Sequence, residues 1–218
     1  MSTQKTTPHI LIVDDCTVTC RLLTTILSVA GYHVTAANDG AGGLAAARSH
    51  THDLAIVDLH LPDVSGIELM NLLQPETPFL ALTIDRSPEA LQTCIEKGAL
   101  GYLVKPLDAE TFLRHVHVAL ERGREQRNLR RALRDNHTVN KAIGVLMGFL
   151  QLPEHHAFEA LVAHASARNL KAVALARDIL AASETLSRTA QPHHADAHAP
   201  EAVRAARAFL RRFRPGHR

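Results

Sequence analysis

Four chemically capable positions follow short apolar runs at widely separated points of the chain. Ile10-Leu11-Ile12-Val13 leads into Asp14-Asp15, Leu54-Ala55-Ile56-Val57 into Asp58, and Leu100-Gly101-Tyr102-Leu103-Val104 into Lys105. A fourth run, beginning at Phe79, ends on the hydroxyl of Thr83. A hard divalent cation such as Mg2+ takes several oxygen ligands and bridges them to phosphate. Asp14, Asp15 and Asp58 supply such oxygens, and crowding three carboxylates is costly without a cation among them. Lys105 is a point charge suited to a phosphoryl group. A carboxylate set beside a cation and an ammonium is a competent nucleophile toward phosphorus.

These residues converge only if the runs are neighbouring strands. Short apolar runs alternating with helical patterns read as an α/β fold, a five-stranded parallel, doubly wound sheet buried on both faces. Ligands of such sheets bind beyond the carboxyl ends of the strands. The expected strands are Ile10–Val13, His33–Ala37, Leu54–Val57, Phe79–Thr83 and Leu100–Val104. Gly31 and Gly98 close helices, and Ser87-Pro88 opens one as N-cap and first helical residue. Lys105-Pro106 suits a cis bond.

Beyond the sheet, nothing except Gly123 interrupts a helix from Thr111 to about Asn136. Phe112, Val116, Ala119, Leu129 and Leu133 recur at helical spacing, while arginine is dense from Arg122 to Arg134. The pattern fits either a dimer seam or a solvated linker. Three helices are expected next, Val139–Leu150, Pro153–Ala167 and Lys171–Leu186, forming a small bundle. The expected division is therefore 1–120 for the α/β domain, 121–138 for a helical Arg-rich linker, 139–186 for the three-helix domain and 187–218 for a flexible basic tail. Within that tail, Glu201–Phe213 has an apolar side of Val203, Ala206, Leu210 and Phe213. It fits a basic amphipathic helix, read either as a solvated tail or as a contact to nucleic acid or an acidic surface.

Composition sets outer bounds. The chain has 24 Lys and Arg against 22 Asp and Glu, so a formal net charge of +2 gives no global pull on nucleic acid. Three cysteines without a spaced framework point to a reducing compartment. No run approaches the roughly 18 apolar residues of a membrane span, so the expectation is a cytoplasmic protein. His155-His156 are adjacent and cannot share a helix face; His115 and His117 likewise make no metal site. Outside the acidic pocket no second nucleophile and base stand out, which disfavours a conventional enzyme.

On Asp14-Asp15, Asp58 followed by Pro62 and Gly66, Thr83, Tyr102 and Lys105-Pro106, residues 10 to about 120 resemble a response-regulator receiver domain. The resemblance implies phosphorylation of Asp58 by a sensor histidine kinase. It implies Mg2+ held by Asp14, Asp15, Asp58 and the backbone carbonyl of His60, with Lys105 and Thr83 holding the phosphoryl group. Tyr102 would swing inward as Thr83 moves. Ile84 stands where receivers usually have a small residue. His60 and Asp85 should flank the mouth of the site, either paired across it, which would slow hydrolysis of the phosphoryl group, or as two solvated loop residues.

Residues 139–186 resemble the ANTAR domain, the RNA-binding output of certain transcription antiterminators. The match rests on Ala142, Gly144, Leu146 and Met147, on Ala157-Phe158 and Leu161, and on Asn169, Lys171 and Ala176. It implies a homodimer that binds paired RNA stem-loops. Ile143 stands where the family usually carries a basic residue, which leaves Lys141, Arg168, Asn169 and Lys171 as the RNA-contact candidates. Gly144, Met147 and Phe158 read as packing residues. The alternative output is a phosphorylation-switched protein-binding bundle.

Overall fold

The computed structural model describes residues 7–73, 77–188 and 201–214. Five parallel strands lie in the order β2-β1-β3-β4-β5: β1 (His9–Val13), β2 (His33–Ala37), β3 (Leu54–Asp58), β4 (Phe79–Thr83) and β5 (Gly101–Val104). Every residue of β3 and β4 is buried, as two-sided covering requires. Side chains alternate between two cores. Ile10, Ile12, Ile56, Leu80 and Leu82 face α1 (Thr17–Val29) and the start of α5 (Ala109–Leu150), where Phe112 and Val116 are buried. Leu11, Val13, Val57, Phe79 and Ala81 face α3 (Gly66–Leu73), with Leu44 of α2 (Gly40–Ser49) and Cys94 of α4 (Pro88–Glu96) in the same layer.

Ser87 caps α4 by accepting from the amide of Ala90, and Pro88 follows it. Gly31 and Gly98 end α1 and α4 at positive φ, 87° and 83°, which glycine adopts without steric cost. Lys105-Pro106 is cis. Gly123 has a packing reason: a Cβ there would stand 2.6 Å from the ring of Pro78. The glycine that interrupts the apolar pattern of α5 is thus what lets the helix approach the start of β4.

At the other end of the sheet, four imidazoles gather. The His9 ring lies 4.4 Å from His52, 6.3 Å from His50 and 6.4 Å from His33, centroid to centroid. His52 is buried and neither ring nitrogen has a hydrogen-bond partner. Burial first, then the neighbouring His9 and His50, holds its pKa down to about 4 against the opposing Asp53 carboxylate. The folded state therefore binds fewer protons than the unfolded chain between pH 6.5 and 4. This contribution is complete above pH 6.5 and fades as the pH falls toward 4. We expect His52→Leu to flatten the rise of stability across that interval by at most about 3 kcal/mol, read from urea unfolding at a series of pH values.

The chain divides into two compact units, with the division between Asn128 and Leu129. One helix, α5, runs unbroken through the boundary for 42 residues, so the expected separate helix Val139–Leu150 is its last part. The second unit packs the end of α5, α6 (Glu154–Ala167) and α7 (Ala172–Arg188) around Ala142, Leu146, Leu161, Leu175 and Ile179. The flexible tail expected over 187–218 is corrected in part. Residues Glu201–Arg211 form α8, and Val203, Ala206, Leu210 and Phe213 are buried. The physical reason is that a bundle this small lacks apolar cover, and the helix's one apolar side supplies it. Residues 189–200 and 215–218 lie outside the described ones.

Candidate functional site

The registers set the strand ends level with one another. Val13 pairs with Val57, Asp58 with Leu82, and Thr83 with Val104. Each next residue then emerges at one edge of the sheet. Asp14 and Thr83 are fully buried, Asp58 is 5% exposed, and Asp15 is exposed. Lys105 reaches across: its Nζ lies 2.5 Å from Asp58 Oδ2 and 2.7 Å from Asp14 Oδ2. The ammonium donates an aligned hydrogen bond to Asp58, whereas Asp14 Oδ2 is buried with an ion-pair contact and no such bond. Asp14 Oδ1 accepts from the Cys16 amide at 3.0 Å, and Asp58 Oδ1 from the His60 amide at 3.0 Å.

Burial raises the Asp14 carboxyl above its ordinary range, outweighing the Lys105 ammonium and the Cys16 amide. Burial opposes the Lys105 charge too, but its close contacts with the Asp14 and Asp58 carboxylates outweigh it and hold that pKa up. The pocket therefore carries more carboxylate than one ammonium satisfies. Asp14, Asp15 and Asp58 bring three ligand oxygens within 4.8 Å of one another, a donor set that fits a divalent cation.

Thr83 and Tyr102 are joined through one residue. The Asp85 amide donates to Thr83 Oγ1 at 3.0 Å, and the Tyr102 hydroxyl donates to the Asp85 carbonyl at 2.5 Å. The backbone of Asp85 thus connects the two side chains that the receiver resemblance couples, a link the sequence itself did not name. The Asp85 carboxylate is taken by the Ser87 amide at 2.8 Å, which lowers its pKa, with a smaller contribution from His60 through space. The His60–Asp85 ion pair does not form: the turn before α4 has already claimed the carboxylate. His60 and Ile84 are exposed.

Two further residues position the loop after Asp58. Gly66 is irreplaceable on space alone, since a Cβ would stand 2.0 Å from the Asp58 carbonyl oxygen. Asp63, which the sequence did not single out, accepts from the amides of Gly40 and Ala41 at 2.9 and 2.8 Å. These two amides hold its carboxyl below the ordinary range and tie the loop to the start of α2. A proline and acid shortly after Asp58 were the available signal.

In the second unit, Lys141 is exposed on α5, and Arg168, Asn169 and Lys171 are exposed on the connection from α6 to α7. Asn169 also has a backbone role. Its φ is +53°, and Leu170 donates to Ala165, closing α6 in the left-handed manner asparagine tolerates. Met147 packs on the core as expected. Two packing expectations are corrected: a Cβ on Gly144 would meet nothing within 4 Å, and Phe158 is 49% exposed. Ile143, at the position where a basic residue is usual, is buried.

Comparison with known proteins agrees with this arrangement. The response regulator receiver domain model matches residues 10–117, and the ANTAR domain model matches residues 127–180. The transcriptional regulatory protein KdpE of Mycobacterium tuberculosis is 34% identical over 116 residues, 52% of this chain and 51% of that protein. YkoG, an uncharacterized transcriptional regulatory protein of Bacillus subtilis, is 35% identical over 118 residues, 53% and 52% of the two chains. This chain thus spans about half the length of these curated relatives. Among solved structures, a chemotaxis response regulator of Vibrio cholerae superposes with TM-score 0.50 at 34% identity, covering 52% of this chain and 99% of that one. A CheY-like receiver domain from Methanospirillum hungatei gives 0.53 at 29% identity, covering 56% and 99%. This chain belongs to the two-component response regulators, with a receiver domain followed by an ANTAR domain. Among the described residues no helix is long and apolar enough to cross a membrane.

Proposed function

We propose that this chain is a phosphorylation-controlled, cytoplasmic RNA-binding regulator that acts after transcription initiation, by antitermination. The observation that carries the reading is one chain joining a pocket converged on Asp58 to an ANTAR match over 127–180. A sensor histidine kinase is the phosphodonor. An Asp58 carboxylate oxygen forms the new bond to phosphorus as the bond to the donor's imidazole nitrogen breaks, and that nitrogen keeps the electron pair. Asp14, Asp15, Asp58 and the His60 carbonyl would hold Mg2+. When bound, the ion offsets the negative charge that gathers on the pocket and the incoming phosphoryl oxygens.

Lys105 already contacts Asp58 and Asp14, so it passes to the phosphoryl group with little movement. The Thr83 hydroxyl accepts from the Asp85 amide and keeps its own proton to donate to a phosphoryl oxygen. The modification adds roughly two negative charges. A shift of Thr83 toward them pulls on Asp85, and through its carbonyl on Tyr102. The exposed Leu129 and Leu133, one turn apart on α5, support pairing of two copies in the phosphorylated state. Lys141, Arg168, Asn169 and Lys171 then meet stem-loop RNA, whose unpaired loop bases are open to side chains.

Filter retention of the full chain, with and without an acyl-phosphate donor, checks this against an RNA carrying two adjacent stem-loops with randomised loops. Retention should rise on phosphorylation and fall steeply with salt. Absence of retention in both states would favour the protein-binding bundle.

A further inference from the structure

We infer that α8 is a second phosphate-binding element of the ANTAR unit, its outward arginines taking the RNA backbone beside the α6–α7 connection. The inference rests on the RNA-binding reading above and adds a segment that lies beyond the ANTAR match at 127–180.

From Glu201 to Arg214 the chain carries five arginines and one acid. Val203, Ala206, Leu210 and Phe213 are buried, whereas Arg204, Arg211, Arg212 and Arg214 are exposed. A basic amphipathic helix has three common uses: on an anionic membrane, in a partner's apolar groove, or along nucleic acid. The first two need the apolar face, and here that face is consumed. Leu210 and Phe213 belong to the same core as Leu161, Leu175 and Ile179. What remains for a partner is charge, the exposed Glu201 at the start and otherwise guanidinium, which grips phosphate oxygens two at a time.

The position of α8 within its unit points the same way. The Phe213 ring lies 4.6 Å from that of His164 on α6. Arg168 follows His164 by four residues, about one helical turn, or 6 Å. The end of α8 at Arg211, with Arg212 and Arg214 just past it, therefore lies beside the connection that carries Arg168, Asn169 and Lys171. Over 139–186 the exposed Lys and Arg are Lys141, Arg168, Lys171 and Arg177, while Ile143 is buried and Leu170 exposes no charge. Arg204, Arg211, Arg212 and Arg214 add four more guanidinium groups to that phosphate attraction.

The test uses the full chain with an acyl-phosphate donor and the two-stem-loop RNA with randomised loops, in a salt series. Its partner is the variant Arg204→Gln, Arg211→Gln, Arg212→Gln, Arg214→Gln, which should keep its helical content and its labelling at Asp58. The variant should bind at least about tenfold more weakly, and its slope of log affinity against log salt should shallow by about 2. Unchanged affinity and slope, with the unaltered chain binding, would overturn this inference and leave the RNA reading standing. Failure of the unaltered chain to bind would end both. Co-sedimentation of the unaltered chain with phosphatidylserine vesicles, lost in the variant, would place the arginines on lipid and overturn the inference as well.

Discussion

Asp58→Asn, supplied with Mg2+ and a small radiolabelled acyl-phosphate donor, should take up no label, while the unaltered chain is labelled and loses label with base, as an acyl phosphate does. The amide is no nucleophile toward phosphorus, and the neighbouring acids do not substitute for it. Asp14 has one oxygen on the Cys16 amide and the other against Lys105, fully buried. Asp15 is exposed and stands outside the Lys105 contact. The loss is complete rather than graded. Folding should survive it, because Lys105 keeps its ion pair with Asp14 at 2.7 Å. A truncated buried partner is costly chiefly when it leaves a charge alone, and here the ammonium retains one carboxylate. Equal melting temperatures with absent label would thus separate lost chemistry from lost structure. Label appearing at Asp15 in the variant would contradict the assignment of Asp58.

The site was legible because strand ends in a sheet buried on both faces announce themselves. Each is an uninterrupted apolar run stopped by a polar residue, and Asp14, Asp58, Thr83 and Lys105 are those stops. Strand limits moved by a single residue at His9, Asp58 and Gly101, where a hydrogen-bonded partner rather than hydropathy decides. What stayed hidden depends on loop geometry. Asp63 capping α2 and Asp85 joining Thr83 to Tyr102 are contacts between segments with no periodicity to read. Asp85 illustrates the competition: spacing placed it across from His60, but an amide two residues away reaches it first. Gly123 misled in the other direction, reading as a break in a seam when it is a point of close contact with Pro78.

The tail posed a different problem, because an apolar helix side has the same sequence whether it is packed, bound or solvated. Phe213→Ala tests the packed answer. Phe213 is 1% exposed, touches the His164 ring at 4.6 Å and the Phe209 ring at 5.6 Å, and closes the core around Leu161 and Ile179. Emptying such a position removes the transfer free energy of the ring and leaves a cavity, about 3 to 5 kcal/mol in a core that cannot collapse. A small unit has little stability to spare, so the variant's second unit should unfold well before its receiver in urea. The receiver transition, reported by the phosphorylation-competent fraction, should stay where it is. A loss under about 1 kcal/mol would mean that α8 merely rests on α6 and α7, and the arginines it carries would then have no fixed place from which to meet a phosphate.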